Sequence, residues 1–232
     1  AAALAVALVG LVGCSDDAAD PEAEPTPPVS ETSPTPSASP EELGFDAKVL
    51  DRLAKEAEAA GSTCFLVARN GRIAGEWYWG DGGPDAPREV FSVTKSVTST
   101  LVGLTQADGV LSLEDPASTY IREWRGTGSD AVTVRHLLSN DSGRYWSTDS
   151  DYGDLIRAED RTSYAVGLVQ TDPPGTVWAY NNAAIQTLDR VIRTATGQAT
   201  HEFAQDRLFG PLGMTSTRMT LDASKQSTQA FF

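Results

Sequence analysis

The chain is short of sulfur, of histidine and of positive charge. Two cysteines, two methionines and two histidines occur in 232 residues, and 18 Lys and Arg face 32 Asp and Glu, for a formal net charge of −14. The acidity excludes a nucleic-acid partner, because no basic stripe is available to replace counterions along a phosphate backbone. His136 and His201 are scattered and have no matching Cys or carboxylate pattern, so no zinc site is expected. No cofactor is expected either. The Gly-Asp-Gly-Gly stretch at 80–83 lacks the order and helix context of a phosphate cradle and reads as a turn. The longest apolar run, Ala1 to Val12, falls well below the roughly 20 residues that a bilayer-spanning helix needs.

That run fits the core of a truncated signal peptide, residues 1–13. Leu11-Val12-Gly13-Cys14 resembles the bacterial lipobox, which implies cleavage before Cys14 and a lipid on its sulfur. Residues 14–40 are Asp, Glu, Pro, Ser, Thr and Ala with almost nothing large and apolar, and are expected to be a disordered tether. Together these segments predict an extracytoplasmic protein whose membrane contact is a lipid anchor on a bacterial cell membrane. With Cys14 lipidated, Cys64 has no partner; it is expected to be a small buried hydrophobe, with no disulfide.

The folded part is expected over 41–232. Phe45, Val49, Leu53 and Ala57 recur at helical spacing and Gly61 ends the pattern. Two apolar runs flank Asn70-Gly71, the signature of a hairpin on a type I′ turn, with Trp77 and Trp79 expected to pack. Val93, Val97, Leu101 and Leu104 form a stripe closed by Gly109; the β-branched content would suit a strand, but the stripe and the stop favour a helix. Residues 133–139 read as a short helix and 155–169 as two helical pieces. Ala184, Ile185, Leu188, Val191, Ile192 and Ala195 give the cleanest helical stripe, closed by Gly197, and a last helix is expected over 201–208. The order is helix, hairpin, then a long helical region, an α+β arrangement without internal repeats.

Ser92-Val93-Thr94-Lys95 places a hydroxyl one helical turn before an amine, on the same face. Serine is a poor nucleophile until a neighbour takes its proton, which a lysine with a destabilised charge can do. Tyr180-Asn181-Asn182 opens the cleanest helix. A tyrosine beside a cation can ionise partially and act as general base, and Asn182 offers a donor and an acceptor to orient Lys95 or a substrate carbonyl. The bland alternative is a core tyrosine and an asparagine that merely caps a helix.

Ser92-x-x-Lys95 and Tyr180-x-Asn182, in this order, resemble the serine β-lactamase and penicillin-binding-protein superfamily, specifically its class C β-lactamase-like branch. The stretches Leu111 to Pro116, Val134 to Ser139, Pro174-Gly175-Thr176 and Leu208 to Met214 resemble it too. The resemblance implies a β-lactamase/transpeptidase-like fold, with Ser92 as the acylated nucleophile. Lys95 and Tyr180 would share its activation, Asn182 would position, and the oxyanion hole would combine the Ser92 N–H with an N–H on a later strand. A class A pattern fits less well, because no Ser-Asp-Asn is evident and Glu159 lacks the helper-glutamate context. The branch's third motif, a Lys-Thr-Gly or His-x-Gly strand, is absent from the chain. On that ground the C-terminal sheet strands are expected to be missing and the chain itself to be an inactive, poorly folded fragment.

The resulting expectation is a serine hydrolase cleaving an amide or ester, of the β-lactam, D-Ala peptide or small-ester class, through an acyl-enzyme on Ser92. The rival is a non-catalytic penicillin-binding-like sensor at the cell surface. His136 is expected to be structural. Tyr145, Trp146 and Tyr152 could equally stack on a small-molecule or peptide substrate or pack on the surface.

Overall fold

The computed structural model describes residues 35–230. Residues 1–13, Cys14 and most of the expected tether lie outside these residues.

Helix α1 (Ala47–Ala59) begins where Asp46 accepts from the amides of Lys48 and Val49, a side-chain cap of the helix's first free N–H groups. Strands β1 (Cys64–Arg69) and β2 (Arg72–Tyr78) pair antiparallel from Arg69↔Arg72 outward to Cys64↔Tyr78. The connecting pair is Asn70-Gly71, with φ of 54° and 71°. Both residues are left-handed, as the type I′ turn demands, and asparagine and glycine tolerate that region best. This two-stranded sheet is the only one among the described residues.

One face of the hairpin packs on α1, where Val67, Ala74 and Trp77 meet Leu43, Leu50 and Phe45, and Trp77 stacks on Phe65. Cys64 shares the other face with Leu66, which is 52 % exposed, because side chains alternate along a strand. Nothing described covers that face. Cys64 is therefore exposed, against the expectation of a buried hydrophobe. The tether expectation also needs correcting at its C-terminal end. Ser37 pairs with Ile73 on the edge of β2, and the Ile73 amide donates to the Pro36 carbonyl at 2.9 Å.

A larger core lies in the helical region. Helix α2 (Thr94–Ala107) is preceded by a 3-10 turn, Phe91–Val93, and ends before Gly109. Its most buried residues are Thr94, Thr98, Leu101, Val102 and Thr105, whereas Val93 is exposed. Of the valine-leucine stripe, Leu101 is buried and Val97 and Leu104 pack against the core, and a row of threonines widens the buried face beside it. Threonine can line it because Thr98 and Thr105 donate to the carbonyls of Thr94 and Leu101, satisfying their hydroxyls inside the helix.

Helix α3 (Val134–Ser139) starts at a reciprocal cap between Thr133 and His136, so His136 does structural work as expected. The wide, π-type turn Ser150–Asp154 runs into α4 (Leu155–Arg157), followed by α5 (Arg161–Gly167). The cleanest sequence stripe is two helices, α6 (Asn182–Gln186) and α7 (Leu188–Thr196), divided at Thr187 and closed by left-handed Gly197. Helix α8 (Thr200–Ala204) passes into a second wide turn, Gln205–Phe209. Leu101, Trp124, Leu137, Ile185, Leu188, Ile192 and Phe209 are buried together between these elements. Each fully buried apolar side chain of this kind contributes about 1.5–3 kcal/mol. The architecture is α+β, a small antiparallel sheet with a helical region, as expected.

Candidate active site

The residue before the nucleophile candidate is unusual. Phe91 has φ of 45° and is 60 % exposed, a left-handed conformation that a bulky side chain seldom adopts. It turns the chain so that Ser92 sits exposed at the mouth of α2, and Lys95 follows on the first turn. The three-residue spacing does what helical geometry dictates: Lys95 Nζ donates to Ser92 Oγ at 3.2 Å.

Tyr180 arrives from a different part of the chain. The loop after α3 carries it. The Ala179 amide donates to the Asn140 carbonyl, the Asn181 amide donates to Asn140 Oδ1, and Asn181 Nδ2 donates to the carbonyls of Arg144 and Tyr145. Gly143 allows the loop's tight path. Its φ is 68°, and a Cβ there would lie 2.2 Å from the Asp172 carbonyl oxygen. Arg144 locks the loop from behind, donating to Ser129 Oγ and to the carbonyls of Ala165, Val166 and Leu168 at the end of α5, with its guanidinium 4.2 Å from the Trp124 ring centroid.

This scaffold brings the Tyr180 hydroxyl to Ser92 Oγ, to which it donates at 2.7 Å. Lys95 Nζ lies over the tyrosine ring, 4.7 Å from its centroid. It also donates to Asn182 Oδ1 at 2.6 Å and to the Ala230 carbonyl at 2.5 Å. All four residues singled out from the sequence, Ser92, Lys95, Tyr180 and Asn182, meet in one cluster. The helix cap is Asn181, whose side chain accepts from the Ala184 amide, leaving the Asn182 side chain free to face the lysine.

The electrostatics suit proton transfer. Burial pulls the Lys95 ammonium below the ordinary lysine range, although Tyr180 and Asp151 oppose the shift. Burial pushes the Tyr180 phenol up, but hydrogen bonds with Ser92 and Lys95, together with the Lys95 charge, outweigh it and leave the group below the usual phenol value. Two groups whose ordinary values lie near 10 are thus both shifted downward, and each acts on the other's charge.

Sequence reasoning missed Asp151. It is fully buried in the wide turn Ser150–Asp154, and its carboxylate accepts from the Asn182 amide, Asn182 Nδ2 and the Ala183 amide. It also missed the Ala230 carbonyl. No local pattern marks either, since each reaches the site across a long stretch of chain. Tyr145, Trp146 and Tyr152 are exposed. His201 does not join the site; its ring lies 3.2 Å from Ser227 Oγ. Among the described residues no cluster of His, Cys, Asp and Glu could hold a metal ion, and no helix is long and apolar enough to cross a membrane.

Known proteins identify the family. The β-lactamase family model matches residues 50–231. A β-lactamase of Pseudomonas fluorescens is 27% identical over 146 residues, covering 61% of this chain and 39% of its own. Penicillin-binding protein 4 of Amycolatopsis lactamdurans is 34% identical over 137 residues, covering 56% of this chain and 35% of its own. In fold, a class C β-lactamase solved in complex with cefoxitin superposes with a TM-score of 0.62 at 18% identity, over 79% of this chain and 60% of that one. The chain spans less than two fifths of the length of the two sequence relatives and 60% of the solved structure. It belongs to the β-lactamase family, within the serine β-lactamase and penicillin-binding-protein superfamily.

Proposed function

We propose that this member of the β-lactamase family is a serine hydrolase that cleaves an amide or ester through a covalent acyl-enzyme on Ser92. One observation carries the reading: Ser92 Oγ lies 2.7 Å from the Tyr180 hydroxyl and 3.2 Å from Lys95 Nζ. Both groups have their ionisation pulled below its usual range.

In the reactive state Tyr180 is the phenolate and Lys95 the ammonium beside it. Ser92 then donates its proton to Tyr180 as Oγ attacks the substrate carbonyl carbon. The negative charge that develops on the carbonyl oxygen is stabilised by the Ser92 backbone N–H at the mouth of α2. As the tetrahedral species collapses, Tyr180 returns the proton to the departing amine or alkoxide, and the acyl group remains on Ser92. Water then loses a proton to Tyr180, attacks the acyl ester and releases the acid, and Ser92 regains its proton. Lys95 stays protonated throughout in this scheme. Ser92 Oγ, Asn182 Oδ1 and the Ala230 carbonyl accept from it and the Tyr180 oxygen lies beside it, surroundings that suit an ammonium.

The relatives' names span a β-lactamase and a penicillin-binding protein, which supports a substrate with a strained or D-amino-acid amide. We also assign Cys14 as a lipid attachment site holding the domain at the outer face of a cell membrane, to be checked by metabolic labelling with a fatty-acid analogue. The hydrolase reading is tested by intact-mass analysis after treatment with a fluorophosphonate and with a penicillin probe. A single adduct, absent in Ser92→Ala, is expected. A penicillin adduct that never clears would turn the reading to a sensor, and no adduct with either probe would refute it.

A further inference from the structure

Asn182 has to solve an orientation problem. Its amide can be seated two ways, exchanging a carbonyl oxygen for an NH2 group, and only one seating suits a neighbouring ammonium. With Oδ1 toward Lys95 the contact is a 2.6 Å hydrogen bond; turned over, it would set donor against donor. Nothing in the Asn182 side chain itself makes the choice.

Asp151 makes it. A carboxylate only accepts, so it draws the NH2 side of the amide. Asp151 Oδ2 accepts from Asn182 Nδ2 at 2.8 Å and from the Asn182 backbone amide at 2.9 Å, while Oδ1 accepts from the Ala183 amide at 2.9 Å. Side chain and main chain of Asn182 are thus tied to one buried anion, 0 % exposed. The wide turn that carries Asp151 is a helical irregularity of the kind often found at functional sites. We propose that Asp151 is a positioning residue: it fixes the Asn182 amide with its oxygen toward Lys95 and so holds the ammonium within reach of Ser92 and Tyr180.

This inference rests on acylation at Ser92. The Asp151 charge favours the Lys95 ammonium that the scheme needs; it also disfavours the Tyr180 phenolate, but the Ser92 and Lys95 hydrogen bonds and the Lys95 charge outweigh it. The groups facing this charge are Lys95 from α2 and Tyr180 ahead of α6. Asp149, Tyr152 and Asp154 share or adjoin its own turn, and Tyr164 of α5 bonds to the neighbouring Ser150.

The test is a cycle of Asp151→Asn, Asn182→Ala and the double variant, reading the rate of Ser92 acylation against pH and the exchange protection of the Asn182 side-chain amide by NMR. Asn182→Ala retains both backbone bonds to Asp151 and so guards against loss of fold. Each single change should slow acylation about 10- to 100-fold, and the double variant should be no slower than the worse single one. Asp151→Asn should also move both limbs of the pH–rate profile to lower pH, which a merely structural carboxylate would not do. Additive losses, unmoved limbs, or a wild-type Asn182 amide that exchanges freely would overturn the proposal. A protected amide in a wild-type protein that never acylates would instead remove the hydrolase reading, and the assigned role with it.

Discussion

Arg144→Met sets two large electrostatic effects against each other. The Arg144 guanidinium is 4 % exposed and pairs with no carboxylate among the described residues. Burial pulls it down to about 10, so it remains protonated at neutral pH. Removing the cation recovers the cost of burying it, roughly 3 kcal/mol for a displacement of that size. Methionine has similar length and keeps much of the packing against Trp124. It donates nothing, however, to the carbonyls of Ala165, Val166 and Leu168 at the end of α5. Ala165 still accepts from the Leu168 amide and Val166 from Trp124 Nε1, so only the Leu168 carbonyl is orphaned. One orphaned acceptor costs about 1–3 kcal/mol, so loss and recovery nearly cancel, and Tm should stay level or rise by up to about 8 °C, read by circular dichroism at neutral pH. Because the Arg144 carbonyl receives Asn181 Nδ2, the Tyr180 segment should loosen as well, and acylation should slow below the melting range. A fall of more than about 6 °C would show that the guanidinium bonds outweigh the cost of burying the charge.

Three further outcomes are expected. Tyr180→Phe keeps the ring beneath Lys95 but removes the base, and should cut acylation about 10²- to 10⁴-fold with little change in Tm; a rate near wild type would transfer the role to Lys95. The wild-type rate should rise with pH toward the lowered Tyr180 value and fall again as Lys95 loses its proton, both limbs lying below the ordinary phenol and lysine values, as measured by probe labelling across pH. Cys64 should react with a thiol reagent in the native protein at the rate of a free surface thiol, whereas protection until denaturation would mean that its face of the hairpin is covered.

Local chemistry was legible in the sequence; what long loops deliver was not. Asn70-Gly71 specified the hairpin because few residue pairs accept two left-handed conformations in succession. Ser92 and Lys95 could be placed together because a helical turn fixes their separation. Tyr180 and Asn182 could be named from a motif, but their approach to Ser92 depends on Asn140, Gly143 and Arg144, in a loop without periodicity. Asp151 sits among other aspartates in such a loop, 31 residues from its partner, and nothing local separates a buried carboxylate from a solvated one. Hydropathy found most of the α2 core stripe but not its buried threonines, which spend their hydroxyls on their own helix. It misjudged Cys64 because strand alternation says which residues share a face, not which face is covered.

The Ala230 carbonyl has a consequence of its own. One of the acceptors around Lys95 belongs to the main chain, so no side-chain replacement can delete it. Alanine scanning will register Ser92 and Asn182 and pass over this third contact in silence. Its one genetic handle is the neighbouring residue. Gln229 is fully buried; its amide donates to Gln186 Oε1, and its carbonyl and Oε1 both lie within hydrogen-bonding distance of Thr98 Oγ1. The lysine's placement is therefore partly encoded in glutamines that never touch it, and a backbone ester in place of an amide is the substitution that would make the hidden acceptor visible.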